Sequence, residues 1–183
     1  MLRNYVLISL SLIMKVLRLI VFAALLPLSL LAQTDSTTLT KVGDKIPDFT
    51  FEIDKGKKAS ISDYKGKLVL VNFFATWCGP CNMEMDMMRD KYWQKYKDNP
   101  KFAFLVFGRE EGWNILDPYK LKKGYSFSLL PDEDRSIFKK FATQSIPRNV
   151  IVDQNGKIIY QSVGFSEKSF SEMMSFIDLK LGQ

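Results

Sequence analysis

The sequence contains no histidine, and its two cysteines, Cys78 and Cys81, form a single Cys-x-x-Cys. The lack of histidine excludes hydrolases that use an imidazole as their base. A structural zinc site usually takes four cysteine or histidine ligands, so a zinc finger or ribbon is also excluded, and we expect no metal site. The chemistry that remains for the cysteine pair is redox exchange, binding of a soft metal, or a structural disulfide.

The chain also lacks a basic region suited to nucleic acid. Its net charge is +6, but three of its 26 basic residues lie in the first 32 positions, which contain no acid. The remainder carries 23 basic and 20 acidic residues, and no cluster of Lys and Arg alternates with aromatic residues. We therefore expect no nucleic-acid partner. With 46% hydrophobic residues in a chain of 183, one globular domain is expected.

Residues 1–32 have the form of a secretory signal peptide. Lys15 and Arg18 precede an apolar run from Leu19 to Ala32. This pattern predicts export to the periplasm or another extracytoplasmic space, with cleavage near Ala32. An uncleaved membrane anchor is the alternative, although the two basic residues interrupt the span that it would need. Met14 is a second candidate for the true translation start.

Polar residues 33–45 are expected to form a short tether, followed by one domain over residues 46–183. Within the domain, apolar periodicity and turn residues predict alternating strands and helices. Asp117 is expected to cap one helix, with Pro118 in its first turn, and Asp134 to cap a shorter one. The predicted order is a hairpin (49–53 and 58–61), a central strand (67–74), a helix from the cysteines to about 96, a strand (102–107), helices (119–123 and 134–141), a hairpin (149–152 and 157–160) and a closing helix (170–181). This order implies an α/β fold with a mixed central sheet flanked by helices on both faces.

The two cysteines are predicted to lie where the central strand ends and the next helix begins. A cysteine at a helix N-terminus faces unpaired backbone N–H groups and the positive end of the helix dipole, which stabilise its thiolate. Cys81 follows Cys78 by about one helical turn, so it can attack a mixed disulfide formed there. We expect Cys78 to be the nucleophile and Cys81 the resolving thiol. A purely structural disulfide is less favoured because it would close a very short loop.

The segment Val69-Leu70-Val71-Asn72-Phe73-Phe74-Ala75-Thr76-Trp77-Cys78-Gly79-Pro80-Cys81, together with the later Ser145-Ile146-Pro147, resembles the TlpA-like and ResA-like branch of the thioredoxin superfamily. The resemblance covers roughly residues 41–183. It implies a thioredoxin fold with an N-terminal β-hairpin extension and the activity of a thiol-disulfide oxidoreductase. It also implies that no cofactor is needed beyond the redox-active disulfide between Cys78 and Cys81.

The resemblance assigns a substrate-binding surface around the cysteines. Pro147 is implied to be a cis-proline that faces them, and Ile146 is implied to offer backbone groups to an extended substrate. An X-Pro bond is cis in only about 5–6% of cases, so this inference comes from the resemblance and not from the residues themselves. The other implied substrate contacts are Trp77, Gly79 and Pro80.

Glu84 matches the acidic residue that this branch places near its redox pair, whereas thioredoxin has a buried acid where this chain has Asn72. If burial raises its pKa, the Glu84 carboxylate can accept the proton of Cys81 as the mixed disulfide is resolved. A solvated helix glutamate is the alternative. Asp86 departs from the family pattern, which often has proline at this position, and this leaves the helix geometry open.

The favoured function is reduction of disulfides in extracytoplasmic proteins. In the family that this sequence resembles, Gly-Pro between the cysteines is typical of members with reducing potentials. The implied partners are protein substrates that contain disulfides and a membrane or extracytoplasmic thiol electron donor. One alternative is Cu(I) handling, in which the cysteines would act with nearby thioethers from Met83, Met85, Met87 and Met88. Another is a thiol peroxidase, in which Arg148 would approach Cys78; an exposed arginine at a strand edge is its more ordinary interpretation.

Overall fold

The computed structural model describes residues 36–182. Its seven strands and three longer helices follow one another along the chain, with 3₁₀ turns at Ile61–Tyr64 and Phe138–Lys140. The strands are β1 Thr50–Asp54, β2 Lys57–Ser60, β3 Leu68–Phe74, β4 Phe102–Arg109, β5 Leu129–Asp132, β6 Arg148–Val152 and β7 Ile158–Val163. The helices are α1 Gly79–Met87, α2 Trp113–Lys123 and α3 Glu167–Leu181.

Five strands form a mixed sheet in the order β5-β4-β3-β6-β7, and β1 pairs with β2 in a separate hairpin. Strands β3, β4 and β5 are parallel, whereas β6 runs antiparallel to both β3 and β7. All seven residues of β3 are buried, as expected for a strand at the centre of a sheet covered on both faces. The predicted mixed α/β fold is confirmed.

Alternate residues of β3 point into two separate hydrophobic clusters. Leu70 and Phe74 pack with buried side chains of α1, α2 and α3 on one face of the sheet. Val71 and Phe73 pack on the other face against the β1–β2 hairpin and the 3₁₀ turns. Within the described residues, the sheet is therefore covered by helices on one face only. The expectation of helices on both faces is wrong, because the hairpin and short turns cover the other face.

Most predicted elements are present, but the region after α2 differs. The edge strand β5 was not predicted, because its four residues, Leu-Leu-Pro-Asp, are few and include a proline, which edge strands tolerate. The helix predicted over 134–141 is only the 3₁₀ turn Phe138–Lys140. The carboxyl oxygens of Asp132 accept the backbone N–H groups of Ile137 and Phe138 at 2.9 and 2.8 Å, so this aspartate fixes the turn.

Helix α2 begins earlier than the sequence predicts. Gly112 is its N-cap and Trp113 its first residue, which leaves Pro118 inside the helix. The indole Nε1 of Trp113 donates to Glu52 Oε2 at 2.8 Å, and Leu116 is completely buried. These tertiary contacts draw the first turn into a helix that local signals would start at Asp117.

The proline inside α2 gives a testable effect on stability. Because proline lacks an N–H and crowds the preceding turn, Pro118→Ala is expected to raise the free energy of unfolding by roughly 1–3 kcal/mol in urea titrations. The matched control is Pro100→Ala, also exposed, in the turn that Phe102 N closes on Asn99 O at 3.1 Å. That change is expected to lower stability by about 0.4–1 kcal/mol. Equal effects of the two substitutions would contradict this account.

The helix that follows the cysteines extends to Tyr96, as predicted, but it is not uniform. Helix α1 passes through a π-helical turn, Met88–Tyr92, before a final α-helical turn. Asp86, which replaces the family's frequent proline, accepts from Arg89 Nη1 at 3.1 Å, Lys123 Nζ at 2.8 Å and the Tyr125 hydroxyl at 2.8 Å. Asp86 thus ties α1 to the end of α2.

Several residues of the predicted tether contact the domain. Gly43 N donates to Ile158 O at 2.9 Å, and Ile158 N donates to Asp44 O at 2.9 Å. Thr38 forms an antiparallel bridge with Ala142. The predicted signal peptide, residues 1–32, lies outside the described residues. None of the helices described over residues 36–182 has both the length and the apolar composition of a membrane span.

Candidate active site

Cys78 and Cys81 lie at the junction of β3 and α1, where the sequence places them. Cys78 is the N-cap of α1, and Pro80 stands in the first helical turn. The two cysteines are joined in a disulfide with a Cα–Cα distance of 5.2 Å, and the backbone N–H of Cys81 donates to Cys78 Sγ at 3.3 Å. After reduction, this N–H and the helix dipole favour a thiolate at Cys78.

The two sulfur-bearing residues differ in access to solvent. Cys78 is 6% exposed, whereas Cys81 is fully buried in the cluster beneath α1. The neighbouring Trp77 is 67% exposed, and Gly79 and Pro80 are also at the surface. A partner can therefore reach the disulfide at Cys78 and contact the side chains around it, while Cys81 is shielded.

The Ile146–Pro147 peptide bond is cis, as the family resemblance implies. The carbonyl oxygen of Ile146 lies 4.0 Å from Cys78 Sγ, so the proline loop stands directly against the reactive sulfur. Ser145, just before it, has a φ of 72°, a conformation that residues other than glycine rarely adopt. A main chain held in such a conformation often marks a functional site.

A buried polar cluster lies on the α1 face of the sheet, below the cysteines. Glu84 is 1% exposed and accepts Asn72 Nδ2 at 2.6 Å, and Asn149 Nδ2 lies 3.1 and 3.2 Å from its two oxygens. Asn72 Nδ2 also donates to Asn149 Oδ1 at 2.8 Å. Burial raises the pKa of Glu84 to about 8, although the two amide hydrogen bonds act in the opposite direction. Glu84 is thus not the solvated glutamate considered as an alternative.

Glu111, in the loop after β4, supports the segment that leads into the cysteines and was not recognised from the sequence. Its carboxyl group is buried and accepts the Thr76 hydroxyl at 2.6 Å and the Thr76 N–H at 2.9 and 3.1 Å. On the other side of this segment, Asn82 Nδ2 donates to Thr76 O at 3.1 Å and Asn82 Oδ1 accepts the Tyr119 hydroxyl at 2.5 Å. Thr76, two residues before Cys78, is held from both sides.

Loss of this support should destabilise the protein. Glu111→Ala leaves the Thr76 hydroxyl and N–H without their buried acceptor, so it is expected to lower the free energy of unfolding by roughly 2–3 kcal/mol. Glu110→Ala is the matched control: that side chain is 47% exposed and pairs with Arg109 and Arg135 at the surface, so the expected loss is below about 1 kcal/mol. Urea titration of both variants measures the difference. If Glu110→Ala costs as much as Glu111→Ala, the support does not come from the Thr76 contacts.

Arg148, the arginine considered for a peroxidase role, is buried within the sheet. Arg148 is 1% exposed and belongs to β6, which lies between β3 and β7, so it is not an exposed residue of a sheet edge. Its guanidinium donates to the hydroxyls of Thr37 and Thr38. A different arginine, Arg109, lies over the Trp77 ring with its guanidinium carbon 5.7 Å from the ring centroid.

The four methionines near the cysteines differ in their exposure to solvent. Met85 and Met88 are fully buried in the core, and Met87 is 9% exposed. Met83 is 55% exposed at the surface. In residues 36–182 there is no group of three or more His, Cys, Asp or Glu side chains placed to hold a metal ion. Met85, Met87 and Met88 therefore act as core residues, which is a common role for this side chain, whereas Met83 lies at the surface.

The sequence of this chain matches a known protein family over the region that contains the site. The Redoxin family model matches residues 41–177, which is most of the chain and includes both cysteines and the proline loop. This chain belongs to the Redoxin family. It is also similar to the thioredoxin-like protein YneN of Bacillus subtilis (strain 168), with 34% identity over 142 residues that cover 75% of this chain and 79% of that protein.

Two further relatives of this Redoxin-family protein bear on its activity. The thiol-disulfide oxidoreductase ResA of Bacillus anthracis is 29% identical over 128 residues, covering 70% of this chain and 73% of that protein. A solution structure from Bacteroides thetaiotaomicron, provisionally named a protein disulfide isomerase, matches with a TM-score of 0.75 and 32% identity over 80% of this chain and 94% of that chain. The protein is thus a thiol-disulfide oxidoreductase with a ResA-like thioredoxin fold.

Proposed function

We propose that this oxidoreductase is exported and reduces disulfides of extracytoplasmic proteins through the Cys78–Cys81 dithiol. The proposal rests on the asymmetry of the pair: Cys78, at a helix N-terminus, keeps 6% of its surface exposed, whereas Cys81 is fully buried behind it. An accessible sulfur can form a mixed disulfide with a large partner, and a shielded one can then resolve it without competing for new substrate.

The surface around Cys78 suits an extended protein segment. The Ile146 carbonyl, 4.0 Å from Cys78 Sγ, stands where a backbone N–H of the substrate can pair with it. Exposed Trp77, Gly79 and Pro80 border the same sulfur and offer contacts to the substrate side chains. We assign these residues, with Pro147, to substrate binding.

The chemistry begins with the reduced protein. The Cys78 thiolate attacks one sulfur of the substrate disulfide, an S–S bond forms between them, and the other substrate sulfur leaves as a thiolate. Cys81 then gives its proton to the Glu84 carboxylate and attacks Cys78 Sγ, which releases the second substrate thiolate. The substrate gains two electrons and the Cys78–Cys81 disulfide forms. A thiol or dithiol donor must reduce this disulfide before the next cycle.

Two features support export and the reducing direction. The basic and apolar pattern of residues 1–32 is that of a signal peptide. A protein outside the cytoplasm meets substrates with disulfides, which are rare inside it. Gly79-Pro80 between the cysteines supports the reducing direction, because this dipeptide is typical of reducing members of the ResA-like family that the sequence resembles.

The decisive measurement is the reduction potential of the Cys78–Cys81 couple, titrated against dithiothreitol and glutathione. A value near the reducing end of the thioredoxin-like range, about −270 mV, is expected for a reductase, whereas a value near −120 mV would make the protein an oxidant. Cell fractionation with N-terminal sequencing tests export, and a chain that begins at Gln33 is the expected result. A protein retained in the cytoplasm would contradict that part of the proposal.

A further inference from the structure

The guanidinium of Arg148 is buried directly after the cis-proline. The residue is 1% exposed. Its Nη1 donates to Thr38 Oγ1 at 2.6 Å, and its Nη2 donates to Thr37 Oγ1 at 2.9 Å and to Gln144 O at 3.1 Å. Burying a charge costs free energy unless the charged group makes its hydrogen bonds. These oxygens therefore stabilise the arginine in this position.

Thr37 and Thr38, which we call the N-terminal threonine pair, are bound along the chain that leads to the proline loop. Thr143 N donates to Thr37 O at 2.9 Å, and Leu39 N donates to Phe141 O at 2.8 Å. Thr38 bridges to Ala142. The pair therefore contacts Ala142 and Thr143 through its backbone and Arg148 through its hydroxyls, and Leu39 continues the pairing to Phe141.

Arg148 and the threonine pair bind the chain on either side of Ser145-Ile146-Pro147, the loop whose Ile146 carbonyl lies 4.0 Å from Cys78 Sγ. Arg148 Nη2 donates to Gln144 O at 3.1 Å, and Thr37 Oγ1 contacts both residues, which stand immediately before and after Ser145-Ile146-Pro147. On the opposite side, Gly164 N donates to Pro147 O at 2.8 Å. The loop is thus fixed by Gly164, just after β7, and by the arginine with the threonine pair.

We propose that Arg148 and the N-terminal threonine pair are positioning residues for substrate binding, because together they hold the Ile146–Pro147 loop against Cys78. With cleavage after Ala32, these threonines are the fifth and sixth residues of the mature chain. The residues just behind the signal peptide then belong to the substrate-binding machinery and are not a passive tether.

This inference rests on the proposed function and refines it. The loop offers its backbone to an extended protein substrate, whereas a small disulfide needs little besides access to Cys78 Sγ. A loop that moves away from its position therefore weakens the binding of protein disulfides and leaves the reduction of small disulfides nearly unchanged. This difference separates a positioning role from a general loss of folding.

The test compares variants of the full-length chain, purified in detergent micelles so that the N-terminal apolar segment is kept wherever it is not cleaved. Thr37→Val with Thr38→Val removes both hydroxyls at nearly constant volume. Thr37→Ser with Thr38→Ser keeps the hydroxyls and serves as the conservative rescue. Thr40→Val is the matched control, since Thr40 Oγ1 donates to Gln161 Oε1 at 2.8 Å, a contact of the same segment with β7.

Each protein is assayed for dithiothreitol-driven reduction of insulin and, separately, of a small aromatic disulfide. We expect the double valine variant to raise KM for insulin about tenfold, as for loss of hydrogen bonds to a charged group, with kcat changed less than about twofold. The small disulfide should be reduced at the wild-type rate. The double serine variant and Thr40→Val should match the wild type on both substrates.

A double valine variant with the wild-type KM for insulin, or one that slows both substrates equally, overturns the inference. If that variant does not fold, single Thr38→Val against Thr40→Val gives the same comparison, with a smaller rise in KM expected from Thr38→Val alone. The proposed function is tested separately by the wild type. Failure of the wild type to reduce insulin rejects the function, whereas an active wild type with unaffected variants rejects only the positioning role.

Discussion

Replacing Cys78 with serine is expected to abolish protein-disulfide reduction, with a loss of at least about a thousandfold in turnover, because a serine hydroxyl is a far weaker nucleophile at neutral pH. Cys81 cannot substitute for it, since its side chain is fully buried. Insulin reduction driven by dithiothreitol measures the loss. The oxidised disulfide should also disappear from alkylation assays in this variant.

Cys81→Ser is expected to act differently and serves as the matched variant. It keeps the accessible nucleophile, so Cys78 still attacks the substrate, but no thiol is present to resolve the product. The protein should accumulate as a covalent mixed disulfide with its substrate, visible as an added mass without reductant and released by dithiothreitol. If Cys78→Ser formed the adduct and Cys81→Ser did not, the two roles would be reversed.

The location of this reactive pair is predictable from local sequence. A continuous apolar run ending at Phe74 indicates a buried central strand, and Gly-Pro between two cysteines favours a helix start. Both signals lie within about 15 residues, so tertiary contacts do not need to be known. The structure confirms the strand, the helix and the cysteines at their junction.

Residues that approach the site from distant segments were not predictable in the same way. Asn149 meets Glu84 because β6 pairs with β3 in a register that sets Asn149 opposite Asn72. Glu111 reaches Thr76 across 35 residues. Arg148 was misjudged because a strand's place in the sheet is not encoded locally: β6 lies inside the sheet and not at its edge. The cis bond before Pro147 came from family resemblance alone.

Glu84 is expected to make the stability of the protein depend on pH, because burial raises its pKa to about 8. An unperturbed glutamate has a pKa of 4.5. Between about pH 4.5 and pH 8 the Glu84 carboxyl group therefore stays protonated in the folded protein, whereas the unfolded chain releases this proton. The wild type should lose stability as pH rises through this window and level off above it. Glu84→Gln has no proton to lose and should gain up to roughly 4 kcal/mol over the wild type between pH 5 and pH 9.

Urea titrations of the oxidised proteins at pH 5, 7 and 9 measure this difference. The oxidised form is chosen because neither cysteine titrates in the disulfide. Asn149→Leu is the comparison variant, since it removes an amide donor that lowers the pKa of Glu84 while keeping a similar volume. Its stability should fall further into alkaline pH than that of the wild type. Parallel pH profiles for the wild type and Glu84→Gln would show that Glu84 does not titrate in this range.

The same proton governs the resolving step. Glu84 follows Cys81 by about one helical turn on the buried face of α1, and only the carboxylate form can accept the thiol proton. The rate at which Cys81 displaces substrate from Cys78 should therefore rise about tenfold per pH unit below pH 8 and flatten above it, where the carboxylate predominates. Glu84→Gln is expected to slow this step at pH 7 by about a hundredfold, with the inflection near pH 8 lost.

Rapid-quench alkylation of the mixed disulfide measures the step directly. An unchanged rate in Glu84→Gln would assign the proton to solvent and leave Glu84 without a part in the reaction.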